Sequence, residues 1–269
     1  MFVDSHCHLN FPQYAETLDQ VRADMSAAGV DRALCISTTL EEFPQVHALA
    51  MRYENMWATV GVHPDNEGVQ EPTLGDLLER AALPRVVGIG ETGLDYYRLG
   101  ERSVADMAWQ RERFRVHIRA ALQTGLPLVI HTREASEDTL AILKEEGQGK
   151  VRGVFHCFTE TDAVARAALD LGFHISFSGI LTFKNAGDIR DVARMVPIER
   201  CLIETDSPYL APAPHRGKLN SPAYVSLVAR QLAELKGMDV DELGRITSNN
   251  FEELFSLVRT SPRVSPTHQ

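Results

Sequence analysis

The chain has 269 residues, 44% hydrophobic and 24% charged, and its 37 acidic residues outnumber 27 basic ones for a formal charge of −10. A composition so near the globular average excludes a disordered, collagenous or coiled-coil chain, and the length excludes a small scaffold that needs staples. The acidic balance excludes a protein that holds nucleic acid by bulk charge, because phosphate binding leaves a basic footprint.

Short apolar, β-branched runs recur at 1–4, 33–37, 57–62, 86–90, 128–131, 153–158, 174–177 and 201–204. Nearly all-apolar runs of this length are the pattern of parallel strands buried on both faces. Their spacing leaves room for a loop and a helix after each. Leu18, Val21, Met25 and Ala28 keep a helical period up to a stop at Gly29. Met107, Phe114, Ile118, Ala121 and Leu122 predict the inward face of a longer helix that ends at Gly125. Ser136 is placed to cap a helix running to about Gly147, with Leu140 and Leu143 inward. Ser221 and Pro222 read as an N-cap and a first helical residue, ahead of Val225, Val228, Leu232 and Leu235.

Eight strand–helix units without a compositional break predict a single (β/α)8 barrel over 1–258, with a doubly wound open sheet as the alternative. The Pro/Ser-rich residues 259–269 read as a flexible tail. Cys7, Cys35, Cys157 and Cys201 form no C-x-x-C pair and suit a reducing compartment. Strand alternation turns Cys7 and Cys157 away from their neighbours and into core packing. With no signal-like start and no apolar run of membrane length, the expectation is a cytoplasmic protein with no membrane and no obligate protein partner.

The chemistry emerges when polar residues are placed on the strands. His6 and His8, two apart, point to one side of the first strand. Glu91 ends the fourth, His131 ends the fifth, His156 lies late in the sixth and Asp206 follows the eighth. All six fall at C-terminal strand ends, which in a closed barrel converge on one mouth. Any one histidine there is more often structural, but six polar residues at the same ends of apolar strands describe a divalent-metal site. Six ligand groups exceed the needs of one tetrahedral ion, so the pattern fits two ions roughly 3.5–4 Å apart with Glu91 between them.

Other signals carry less. His63, in Gly-Val-His-Pro at 61–64, lies on the same face and is a second-tier candidate. His47 and His117 fall in helical stretches and read as packing or surface residues, and His174 begins its strand at the wrong end of the barrel. Residues 88–93 match G-x-G-x-x-G, but no helix follows directly and Glu91 inside the turn would repel a pyrophosphate. Those glycines read instead as allowing a tight turn around Glu91. No G-x-S-x-G elbow is present to support Ser–His–Asp hydrolysis.

The segments Asp-Ser-His-Cys-His at 4–8, Gly-Val-His-Pro at 61–64, Gly-Glu-Thr-Gly-Leu-Asp at 90–95, Ile-His-Thr-Arg at 130–133, Phe-His-Cys-Phe at 155–158 and Glu-Thr-Asp-Ser-Pro-Tyr-Leu at 204–210 together resemble the TatD-type deoxyribonucleases of the metal-dependent amidohydrolase superfamily. The resemblance covers almost the whole chain and implies divalent-metal dependence (Mg, Mn or Zn) and hydrolysis of phosphodiesters in DNA. Two departures stand out. Asp65 and Asn66 follow His-Pro where the family often has a second histidine, and the loop Arg-Gly-Lys-Leu-Asn-Ser-Pro at 216–222 has one basic residue fewer than usual.

The resulting expectation is a deoxyribonuclease, exonuclease-like, that uses a metal-activated water. Two divalent ions would be held by His6, His8, Glu91, His131, His156 and Asp206, with Asp206 as general base and Glu91 fixing the ion pair. His63, Arg133, Arg216 and Lys218 are candidates for substrate phosphates, and Glu204 for orienting a ligand. The same metal face could instead hydrolyse another ester or amide, such as an aminoacyl-tRNA or a small amide, or serve as a non-catalytic metal-binding scaffold. Two bound ions would bring −10 to −6. Residues 98–119 hold six arginines against three acids, and 209–220 hold Arg216 and Lys218 with no acid. A basic grip confined to the mouth fits single-stranded DNA or chain ends as the partner.

Overall fold

The computed structural model describes residues 1–256, so the expected tail at 259–269 lies outside the described residues. Eight strands lie side by side in chain order, every neighbouring pair parallel. They are β1 (Phe2–Cys7), β2 (Val30–Cys35), β3 (Met56–Val60), β4 (Val86–Asp95), β5 (Leu128–Arg133), β6 (Gly153–Phe155), β7 (His174–Phe177) and β8 (Cys201–Ile203). The chain after β8 returns to β1 through a parallel Cys7–Ser207 bridge. There Asp206 N donates to His6 O at 2.9 Å and His8 N to Ser207 O at 2.8 Å. The open-sheet alternative is therefore set aside: the ring closes into a (β/α)8 barrel.

Helices follow each strand: α1 (Leu18–Ala27), α2 (Phe43–Arg52), α3 (Leu74–Ala81), α4 (Ala108–Thr124), α5 (Ser136–Gly147), α6 (Asp162–Asp170), α7 (Gly187–Met195) and α8 (Val225–Lys236), with α9 (Val240–Leu254) last among the described residues. As the spacing predicted, α1 buries Val21 and Met25, and α4 buries Phe114, Ile118 and Ala121 before stopping at Gly125 in the left-handed region. Leu122 departs from that face and is exposed. The buried stripe of α4 runs through Gln110, Arg113, His117 and Ala120, which rotates Leu122 off its edge. Ser136 is the first helical residue of α5 and not its cap. Ser221 does cap, accepting from Ala223 N, but Pro222 opens a 3-10 turn that leads into α8.

Apolar packing forms two layers. Val3, Leu34, Ile36, Trp57, Val87, Val129, Val154 and Leu202 point into the barrel, where Phe251, Leu254 and Phe255 at the end of α9 meet them as one buried cluster. A larger layer lies between the strands and the outer helices.

Two bulges break the alternation where it matters. Between Asp4↔Ala33 and Cys7↔Cys35, Ser5 and His6 together oppose Leu34 alone. Between Ile89↔Leu128 and Thr92↔Ile130, Gly90 and Glu91 together oppose Val129 alone. Each bulge inserts one residue and resets which side chains turn inward. Glu91 was expected to end its strand; β4 instead continues to Asp95, and the glycines serve a close approach rather than a turn. Gly93 adopts φ +133°, and a Cβ there would overlap the carbonyl oxygen of His131.

Candidate metal centre

The convergence expected from strand ends is present at one mouth, around Glu91. This carboxylate is 2% exposed, and its two oxygens face different partners. Oε2 lies 3.3 Å from His6 Nε2 and 3.9 Å from His8 Nε2. Oε1 lies 2.8 Å from His156 Nε2, 3.3 Å from His131 Nδ1 and 3.2 Å from His63 Nε2. Asp206 Oδ1 completes the first side, at 3.5 Å from His6 Nε2 and 3.4 Å from His8 Nε2. The groupings His6–His8–Glu91, His6–His156–Asp206 and His63–Glu91–His131 each bring three ligand atoms within reach of one ion.

The far ring nitrogens indicate what the near ones can do. His131 Nε2 is 2.9 Å from Asp95 Oδ2, His156 Nδ1 is 3.1 Å from Glu204 Oε1, and His8 Nδ1 is 3.3 Å from Ile36 O. A neutral imidazole that donates outward to such an acceptor turns a lone pair inward, as metal ligation requires. Those lone pairs face carboxylate oxygens and repel them unless a cation lies between, whether a proton or a metal ion. His63 differs, because its Nδ1 accepts from Asp65 N at 3.0 Å. Its Nε2 therefore carries the hydrogen and presents a donor to the site.

The electrostatics express the same demand for positive charge. Burial opposes protonation of His8, His131 and His156, but the facing carboxylates prevail and raise all three, His156 well above the usual range. Burial likewise opposes ionisation of Glu91 and Asp206. The surrounding imidazoles prevail there too, and hold Glu91 well below the ordinary carboxylate range and Asp206 below it. Burial dominates for His6 and His63 and lowers both. Converging imidazole nitrogens and anionic carboxylates form a donor set that fits a divalent cation.

The cavity over these residues holds about 790 Å³ and is lined also by Phe11, Asp95, Arg98, Arg133, Cys157 and Tyr209. Arg133 stacks on the Tyr97 ring, its Cζ 3.5 Å from the centroid. Arg216 is not in this cavity; it lines a neighbouring groove over Phe183. Lys218 is exposed and lines neither. The basic segment after β4 also differs from expectation. Arg102, Arg111, Arg113, Arg115 and Arg119 pair with Glu67, Asp138, Glu71, Glu145 and Glu146, which leaves Arg98 to reach the mouth. Cys7 is buried as expected, but Cys157 is not core: with φ +42° its thiol turns toward Ser178 Oγ, 3.2 Å away, and borders the cavity.

Asp95 escaped the sequence reading. It sits at the end of β4, four residues beyond Glu91, where the strand was expected to have stopped. The i+4 acid following Gly93 was the available signal.

Comparison with known proteins is consistent with this geometry. The family described as TatD related DNase matches residues 3–256. A protein of Escherichia coli (strain K12) described as uncharacterized metal-dependent hydrolase YcfH is 47% identical over 259 residues, covering 95% of this chain and 96% of its own length. The protein of Citrobacter rodentium named 3'-5' ssDNA/RNA exonuclease TatD is 33% identical over 264 residues, covering 96% and 99%. The crystal structure of YJJV, a TatD homolog from Escherichia coli K12, superposes with a TM-score of 0.87 at 29% identity, covering 95% of this chain and 98% of that one.

Proposed function

Given that the chain belongs to the TatD family and is a metal-dependent hydrolase, we propose that it cleaves phosphodiester bonds at the ends of single-stranded DNA. In this reading His6, His8, Glu91 and Asp206 hold one divalent ion, and Glu91, His131 and His156 a second. The observation that carries it is the division of Glu91, whose Oε2 faces His6 and His8 while Oε1 faces His131 and His156. Mg, Mn and Zn all suit a mixed imidazole–carboxylate set to some degree, Mg the least.

Divalent ions bound there supply Lewis acidity to the phosphoryl group and bring the ionisation of water toward neutral pH. The chain's own residues do the rest. Asp206, anionic and partly open to the cavity, accepts the proton of the attacking water. His63 presents its Nε2 hydrogen to a phosphoryl oxygen or to the departing alkoxide. Asp95 and Glu204 fix the tautomers of His131 and His156. Arg98 and Arg133 at the rim meet the flanking phosphates. A net charge of −10 over the whole chain disfavours coating of a duplex and supports the choice of chain ends. The Citrobacter rodentium relative, named for single-stranded DNA and RNA, supports the same substrate class. Four free cysteines accord with work in a reducing cytoplasm, and no described helix is long and apolar enough to cross a membrane.

The test is incubation of purified protein with end-labelled single-stranded DNA, in parallel with aminoacyl-tRNA and simple amides, after EDTA treatment and after return of Mn²⁺, Mg²⁺ or Zn²⁺. Metal-restored release of mononucleotides is the expected result. Hydrolysis of the tRNA ester or the amide without any DNA cleavage would overturn the assignment.

A further inference from the structure

A second groove, of about 450 Å³, opens beside the catalytic cavity and shares Thr159 and Ile180 with it. It is built from the segment after β7, the start of α7 and the loop after β8: Ile180, Phe183 and Ile189 supply apolar surface, and Lys184 and Arg216 supply charge. Arg216 Cζ stands 3.5 Å from the centre of the Phe183 ring, and the side chain is otherwise exposed. Among the described residues no carboxylate lies within 4 Å of the Arg216 guanidinium or the Lys184 ammonium. Arg216 and Lys184 therefore differ from the five arginines of the segment after β4 that neighbouring acids neutralise. Two neighbouring cations with no facing acid favour an anion here.

Charge alone would suit any phosphate; the apolar wall narrows the choice. A ring backed by a guanidinium plane is a stacking platform for a planar heterocycle, and an ammonium beside it suits the attached phosphate. Stacking needs an open base face, which single strands offer and paired duplex does not. Thr159 and Ile180 line both, so the groove adjoins the cavity and lies within reach of the same strand.

We infer that this groove is a subsite for a nucleotide flanking the scissile position on the same strand, its base stacked on the Arg216–Phe183 pair and its phosphate facing Lys184. The inference rests on the nuclease reading above and extends it: the enzyme grips its substrate beyond the bond it breaks.

The test is the dependence of kcat/KM on substrate length, measured with the Mn²⁺-loaded enzyme on oligothymidylates of two to six nucleotides. In the wild type kcat/KM rises by about tenfold, the scale of one base stack, once the substrate is long enough to enter the groove. Phe183→Leu keeps the bulk but removes the ring, and Arg216→Gln removes the plane and the charge. Each loses most of that rise, mainly through KM, while its own melting temperature shows that it is folded. Lys184→Gln loses a part and becomes less sensitive to salt. A wild type with no gain from length, or folded variants that keep the full gain, would overturn the subsite. If the wild type cleaves no oligonucleotide of any length with any metal, the nuclease reading itself falls and takes the subsite with it. That result differs visibly from cleavage with an unaltered length profile.

Discussion

Glu91 stands between His156 and His6, its Oε1 2.8 Å from one ring nitrogen and its Oε2 3.3 Å from the other. The carboxylate reaches both because the β4 bulge gives Gly90 and Glu91 a single partner, Val129, across the strand pair. A local insertion in the ladder thus becomes a bridge between two sets of imidazoles.

Glu91→Gln keeps the shape but removes the charge and replaces one acceptor oxygen with an NH2 donor. Metal content per chain, measured by elemental analysis after equilibration with Mn²⁺, should fall below that of the wild type. Turnover should drop by roughly two to three orders of magnitude, as when one group that steadies transition-state charge is lost. Full metal loading with unchanged turnover would show that Glu91 is not the bridge.

Asp206→Asn removes the proposed proton acceptor. Activity should fall by about 10²–10⁴-fold, the range for loss of a general base, with the circular dichroism spectrum and melting temperature close to wild type. A purified, folded variant with wild-type turnover removes Asp206 from the mechanism.

Asp95→Asn tests a residue that touches His131, a proposed ligand. Its Oδ2 holds His131 Nε2 at 2.9 Å, so the variant should weaken metal affinity about 10–100-fold, seen as a shift in the Mn²⁺ concentration for half-maximal activity. At saturating metal most of the turnover should return. Glu204→Gln, acting on His156 in the same way, should behave alike. A loss that excess metal does not restore would mean that Asp95 does more than position the ring.

His117 offers a pH test at a residue the proposed mechanism does not use. Its Nε2 accepts from Val62 N at 3.0 Å and its Nδ1 donates to Arg113 O at 2.8 Å, so both nitrogens are committed in the neutral form. Burial pushes its pKa down from 6.5 to about 4. The folded state thus binds fewer protons than the unfolded one between these values. The contribution is complete above pH 6.5 and is lost as pH falls toward 4, to a total of about 3 kcal/mol. Urea midpoints of wild type should therefore decline more steeply across this window than those of His117→Asn. Parallel declines would refute the assignment.

The sequence carries more of the site than of its surroundings. The residues that meet around Glu91 were readable because barrels place strand C-termini on one side, so placing His6, His8, Glu91, His131, His156 and Asp206 on strands already brings them together. Asp95 was missed for a physical reason: an apolar run marks where a strand is buried on both faces, and β4 continues past that run along the mouth, where polar residues serve it equally well. Cys157 was misplaced because alternation holds only while φ stays extended, and its backbone does not. The arginines after β4 looked like a phosphate grip because composition counts charges along the chain. Their carboxylate partners come from α3-side loops and α5, which only folding brings near.

Phe251, Leu254 and Phe255, packed against the barrel's inward residues, have an implication for access. They stopper the barrel at its base, and side chains fill the space above them. Substrate and product must therefore come and go on the mouth side, where the cavity around Glu91 opens.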